Sequence, residues 1–175
     1  MPTVTQVLGV WSDFGAVRPE VLERAAARGT EVHRICAAMA QGLPIFSVPP
    51  ECAGYIISFE RWLPQVERVV LAEVEFRDPG MGFVGHPDLL LQMAGDNCLS
   101  LVDLKTPASK SPLWRAQLAA YWHLAESNGH KVGRAFSLRL RQDGGLPIAD
   151  EYTGTIWSDL GGFIHALNAY RYFNQ

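Results

Sequence analysis

Residues 85–106 read GHPDLLLQMAGDNCLSLVDLKT. Two β-rich apolar runs flank AGDN, a short turn suited to closing an antiparallel hairpin. Three charges, Asp88, Asp103 and Lys105, are set into these otherwise buried strands. Unpaired charge in an apolar interior is costly, so these side chains need partners, and a bound cation is one. Successive strand residues project to opposite faces, so Asp103 and Lys105 point together while Leu104 packs into the core. An adjacent antiparallel strand brings Asp88 beside Asp103. That arrangement is a compact set of oxygen donors for a hard divalent cation such as Mg²⁺, with the Leu104 backbone carbonyl as a further ligand. Lys105 is then placed to hold a nucleophilic water or to offset charge on a phosphate. A D-x-K triplet alone reads more readily as a plain salt bridge at a strand end.

The rest of the chain bounds these readings. Its 175 residues fit one domain, 1–175, mainly helical over 1–66 and carrying the sheet and flanking helices over 67–175. No apolar run has the length of a membrane helix, and the opening MPTVTQVLGVWSDFG lacks the regions of a signal peptide, so a cytoplasmic location is expected. Cys36, Cys52 and Cys98 are scattered and form no CxxC pair, which favours buried free thiols. A net charge of −3 gives no overall pull toward nucleic acid. Between Asp103 and Arg141, however, Lys105, Lys110, Arg115, Lys131, Arg134, Arg139 and Arg141 face only Asp103 and Glu126. Screening makes such a local basic surface able to bind phosphate on an acidic protein; the alternative is a solvated face.

Periodicity predicts the elements. A helix opens at Pro19 and runs through Val21, Leu22, Ala25 and Ala26 to an interruption at Gly29. A second, TEVHRICAAMAQG, stops at Gly42, and a third lies in ECAGYIISFERWL before Pro64. The strands RVVLAEVEF, GFVGHPDLLLQM and CLSLVDLKT follow, then a helix from about Pro112 to Ser127. AFSLRLRQ is a half-buried strand with EYTGTI as its hairpin partner, and SDLGGFIHALNAYRYF is the closing helix. The expected class is α/β, a mixed central sheet flanked by helices.

Four short motifs occur in order: Gly29-Thr-Glu-Val-His33, Gly85-His-Pro-Asp88, Asp103-Leu-Lys105-Thr106 and Gln117-Leu-Ala-Ala-Tyr121. On these the sequence resembles the PD-(D/E)XK nuclease superfamily, specifically its RecB-like and phage exonuclease branch, over about Pro2 to Glu126. The opening PTVTQVLG is similar to small phage-encoded members. The resemblance implies a restriction-endonuclease-like core and a Mg²⁺- or Mn²⁺-dependent deoxyribonuclease. His33, Asp88, Asp103 and the Leu104 carbonyl would bind the metal, with Lys105 as the catalytic lysine. A glutamate ahead of the Gly85 strand is expected to join them; Glu75 in AEVEF fits best, with Glu73, of the same strand parity, as the alternative. Gln117 and Tyr121 share a helix face beside the site, and with Thr106, Lys110 and Arg115 they would meet the nucleic acid. His86 reads as a cleft or a turn residue, and Trp114 and Trp122 as packing.

An exonuclease of DNA recombination, repair or phage replication is the function implied. The alternatives are a structure-selective endonuclease of the same fold and a non-catalytic nucleic-acid-binding module. Duplex ends or single strands of DNA are the implied partner. The likeness to phage enzymes also implies a phage single-strand annealing protein and a ring-forming homo-oligomer as partners. No cysteine follows Cys98, which excludes the iron–sulfur cluster of some members, and no P-loop for ATP is present.

Overall fold

The computed structural model describes residues 1–12 and 17–174. Among these residues the strands are β1 (Val66–Ala72), β2 (Phe76–Asp78), β3 (Phe83–Gly85), β4 (Leu89–Met93), β5 (Leu99–Lys105), β6 (Val132–Arg139) and β7 (Ile148–Glu151). The α-helices among them are α1 (Val4–Gly9), α2 (Pro19–Ala40), α3 (Ala53–Trp62), α4 (Leu113–Ser127) and α5 (Ile156–Phe173). The central sheet runs β1-β4-β5-β6-β7, with β5 and β6 parallel and the other pairs antiparallel. The parallel pair requires a crossover, and α4 supplies it. Fold class and helix-flanked mixed sheet are as the sequence predicts.

The central strands are near-continuous apolar runs because helices cover both faces. Leu90, Leu101 and Ala135 pack with Val7, Leu118, Phe163 and Leu167 from α1, α4 and α5. Their neighbours Leu89, Leu91, Val102, Leu104 and Leu138 pack with Val32, Ile35 and Phe59 from α2 and α3. Asp103 and Lys105 share the parity of Leu101 and so emerge on the α4 face. None of the described helices is long and apolar enough to cross a membrane.

Four expectations from the sequence are corrected. First, α2 is one continuous helix, and Gly29 does not interrupt it. Burial of Val32, Ile35 and Cys36 outweighs the roughly 1 kcal/mol that an internal glycine costs. Second, RVVLAEVEF is not one strand. The chain leaves the sheet at Glu73, which adopts a left-handed φ of 50°, and residues 76–78 join β3 in a separate two-stranded ribbon. Third, GFVGHPDLLLQM is divided between β3 and β4 at His86-Pro87, where proline has no N–H to give a ladder. Fourth, the hairpin partner of β6 is Ile148–Glu151, not EYTGTI. Thr153–Thr155 is a 3-10 turn into α5, and Thr153 Oγ1 accepts the Ala135 N–H where a strand partner would have stood.

Candidate active site

The β4–β5 ladder ends at Leu89 paired with Val102, which leaves Asp88 at the sheet end next to Asp103. Gly85 makes that placement possible. A Cβ there would lie 2.7 Å from Leu124 Cδ1 and 2.8 Å from Tyr121 Cε1. Only glycine lets β3 lie this close to α4, and the close approach fixes where His86, Pro87 and Asp88 follow. Asp88 Oδ2 accepts the Leu104 N–H at 2.6 Å, while Oδ1 lies 2.9 Å from His33 Nδ1 on α2. Lys105 Nζ stands 2.6 Å from Asp103 Oδ2 and donates to Gln117 Oε1 at 2.8 Å. Gln117 Nε2 in turn donates to the Tyr121 hydroxyl at 3.1 Å. The structure therefore brings His33, Asp88, Asp103, Lys105, Gln117 and Tyr121 into one connected group.

Both carboxylates are buried, Asp88 to 9% and Asp103 to 2% exposure. Burial pushes the Asp103 carboxyl up to about 6, with Lys105 opposing and the negative charge of Asp88 adding to the rise. Burial works against charge on Asp88 too, yet His33, Lys105 and the Leu104 N–H together hold it below the usual carboxylate range. His33 loses solvation, but Asp88 and Asp103 raise its pKa overall. Burial drives the Tyr121 phenol upward, so it stays protonated.

These residues fit a divalent cation by their chemistry. Asp103 Oδ2 is buried and makes no aligned hydrogen bond, although Lys105 is close. Two like charges held together out of water are relieved by a cation. Lys105 O accepts the Leu140 N–H on the β6 side. Strand alternation then turns the Leu104 carbonyl toward the Asp88 side, where the ladder has ended. Among the described residues no three His, Cys, Asp or Glu side chains already converge on one point. His33 is turned onto Asp88, and Lys105 onto Asp103.

The remaining expected residues are placed differently. Glu75 is exposed, held by Arg77 Nε at 2.5 Å and by His86 Nε2 at 3.1 Å. Glu73 is exposed as well, and its N–H bonds the Asp88 carbonyl at 2.8 Å. The break at Glu73 removes the shared strand parity that made the two glutamates equivalent. Lys110 is paired with Asp150, and Arg115 Nε donates to Asp159 at 2.6 Å, so both cations already face buried carboxylates. Trp122 is core, whereas Trp114 also sets its ring 5.7 Å from Lys105 Nζ.

Two clefts meet at Pro107. One, of about 560 Å³, is lined by Arg28, Thr106, Arg139 and Arg141; the other, of about 550 Å³, by Trp11, Trp114 and Gln117 among others. Arg28 was not singled out from the sequence. Its Nε is buried without a partner, and its guanidinium lies 5.5 Å over the Tyr55 ring. Its position one residue before Gly29 of the first motif was the available signal.

The profile of the PD-(D/E)XK nuclease superfamily matches residues 12–158. The chain belongs to that superfamily. The helix-flanked mixed sheet of this PD-(D/E)XK protein accords with the restriction-endonuclease-like fold. Membership makes it a phosphodiester-hydrolysing nuclease by family, in a superfamily that generally uses divalent metals. No curated protein matches the chain. Among solved structures, LHK-Exo in complex with dAMP is 15% identical, over 98% of this chain and 90% of that one, with a TM-score of 0.44. SSO0001 is 19% identical over 54% of this chain, with a TM-score of 0.34, and the match spans only 50% of its length.

Proposed function

We propose that this PD-(D/E)XK protein is a Mg²⁺- or Mn²⁺-dependent DNA exonuclease with Asp88, Asp103 and Lys105 at its centre. The observation that carries this is the convergence of two buried carboxylates from paired strands, with a lysine 2.6 Å from one of them. A cation held by Asp88, Asp103 and the Leu104 carbonyl would supply Lewis-acid polarisation of a phosphoryl oxygen and a water of lowered pKa. His33 completes the donor set from α2, on the side that the strands leave open. Lys105 is the group that orients the attacking water and offsets charge on the phosphate; Gln117 and Tyr121 hold its ammonium in place. In the cleft beside Thr106, Arg28 is the arginine whose Nε has no partner, and it is the candidate contact to the DNA backbone. Arg139 and Arg141 are paired with Asp150 and Asp143. Glu75 stays outside this assignment because its exposed carboxylate is held by Arg77 and His86, while Glu73 is exposed and tied to Asp88 through its backbone N–H alone.

The connections beside the site, 94–98 and 106–112, are short and offer little surface for reading bases, which favours exonucleolytic over site-specific cutting. DNA recombination, repair or phage replication are the settings such an activity fits. The test is a digestion time course on end-labelled linear duplex, single-stranded and covalently closed circular DNA, with Mg²⁺, Mn²⁺ or EDTA. Degradation of the linear substrates with persistence of circles is expected. Rapid linearisation of circles would make the protein an endonuclease, and metal-independent binding without cutting would make it a non-catalytic module.

A further inference from the structure

We propose that the aromatic cleft beside the catalytic group holds one unstacked nucleobase of the strand being cut, with Trp11 as its stacking surface. The proposal rests on the nuclease reading and adds to it a base-holding site. Trp11 is 58% exposed. Single exposed apolar side chains are ordinary, so exposure alone says little. Three further observations distinguish this one.

The first is anchoring. The chain at Trp11 continues from α1, whose Val4, Val7 and Leu8 are buried in the core, and the Trp11 N–H bonds the Leu8 carbonyl at 3.0 Å. The indole is therefore presented by a fixed element. The second is continuity. Trp11 shares its cleft with Trp114 and Gln117. Those same residues touch Lys105, with the ammonium 5.7 Å from the Trp114 ring and 2.8 Å from Gln117 Oε1. A strand whose phosphate reaches Lys105 thus has this cleft beside it. The third is charge. Among the described residues lining the cleft, Lys110 alone is charged, and Asp150 pairs with it. The other described lining residues are uncharged: Leu8, Leu113 and Trp114 are apolar, and Thr5, Ser12, Ser109 and Ser111 carry hydroxyls.

That interior suits a neutral, flat ring with polar edges and would be a poor host for a phosphate. The cleft across Pro107 differs, with three arginines: Arg139 and Arg141 are paired with Asp150 and Asp143, and Arg28 Nε has no partner. One side of the loop therefore fits the base and the other fits backbone charge. A volume of about 550 Å³ admits a nucleotide. Because every base has a π-face, such a site tolerates any sequence. It would hold a base that has already left its stack, favouring single-stranded or frayed ends.

The experiment is a double-substitution cycle on cleavage of a single-stranded oligonucleotide, with folding of each variant checked by thermal melting. One partner is Trp11→Ala, with Trp11→Phe as the conservative rescue. The other is a single abasic residue, scanned through the positions flanking the cut. Trp11→Ala is expected to raise KM about tenfold or more, with Trp11→Phe recovering much of the loss. At one position the abasic substrate should cost the wild type a similar factor and cost Trp11→Ala nothing further. Wild-type KM in Trp11→Ala, or an abasic penalty undiminished in that variant at every position, overturns the proposal. If the wild type cuts no DNA the nuclease reading falls. Tryptophan quenching on titration with the same intact and abasic oligonucleotides then decides the cleft separately: quenching that needs both the base and Trp11 supports it, and any other pattern overturns it.

Discussion

Two histidine–aspartate pairs in this molecule look almost alike. His33 Nδ1 lies 2.9 Å from Asp88 Oδ1, and His123 Nε2 lies 2.7 Å from Asp78 Oδ2. Their side chains are similarly shielded, at 27% and 12% exposure in the first pair and 25% and 14% in the second. Their surroundings separate them. Asp78 also accepts the Met81 N–H at 2.8 Å, and the His123 ring stacks on Phe83. That pair closes the β2–β3 turn against α4. The Met81 N–H, then His123, lower the Asp78 pKa, so the carboxylate is a contented one. Asp88 instead stands beside a second buried carboxylate, whose pKa is raised, with Lys105 against it. A histidine on an aspartate is a fold-locking contact. Chemistry needs the additional like charge, out of water and at a strand end, that only a cation or a proton relieves.

The comparison breaks most sharply at Lys105. Lys105→Ala is expected to lower the cleavage rate by about 10²–10³-fold while calorimetric Mn²⁺ affinity stays near wild type. Undiminished cleavage would remove Lys105 from the mechanism and leave the first pair as structural as the second.

A smaller effect should appear in stability without metal. Asp103 titrates at about 6 in the folded chain, above the roughly 3.9 of an unfolded aspartate. The folded state therefore binds that proton more tightly. The stability it lends is full below about pH 4 and lost as pH rises through about 6. Urea titrations in EDTA should find the wild type losing on the order of 2 kcal/mol relative to Asp103→Asn between those limits. Asp103 helps to raise the His33 pKa and interacts with Asp88, so the difference reads Asp103 together with its coupling to those two groups. Parallel curves would mean that burial and Asp88 do not act on Asp103 as described.

The finest discrimination is between the histidines themselves. His33→Ala should weaken Mn²⁺ binding about tenfold, because neutral imidazole is a serviceable Mn²⁺ ligand, and should shrink the stabilisation that metal confers. His123→Ala should leave Mn²⁺ affinity unchanged and cost about 1 kcal/mol of stability through its lost hydrogen bond. Equal Mn²⁺ affinities in the two variants would reduce His33 to the same turn-locking role as His123.

Much of the site was legible from local rules. Alternation along LSLVDLK separates Asp103 and Lys105 from Leu104, and the AGDN turn dictates which strand lies opposite. Those patterns are short-range, so the sequence carries them unaided. Other parts depend on contacts between distant segments. The left-handed Glu73 divides a run that propensity reads as one strand. Tertiary burial carries α2 through Gly29.

The sequence by itself determined the α/β class, the hairpin bearing Asp88 and Asp103, and the helix face that joins Gln117 to Tyr121. Each follows from a period of two or of 3.6, set by backbone geometry within one element. Only the tertiary structure decided which charges are free to act. Lys110 and Arg115 belong to the basic stretch in sequence, yet Asp150 and Asp159, more than 35 positions away, take them. The unpaired Nε of Arg28 and the exposed indole of Trp11 are left beside the clefts. Ion pairing and burial are settled by proximity in space, and composition along the chain does not record it.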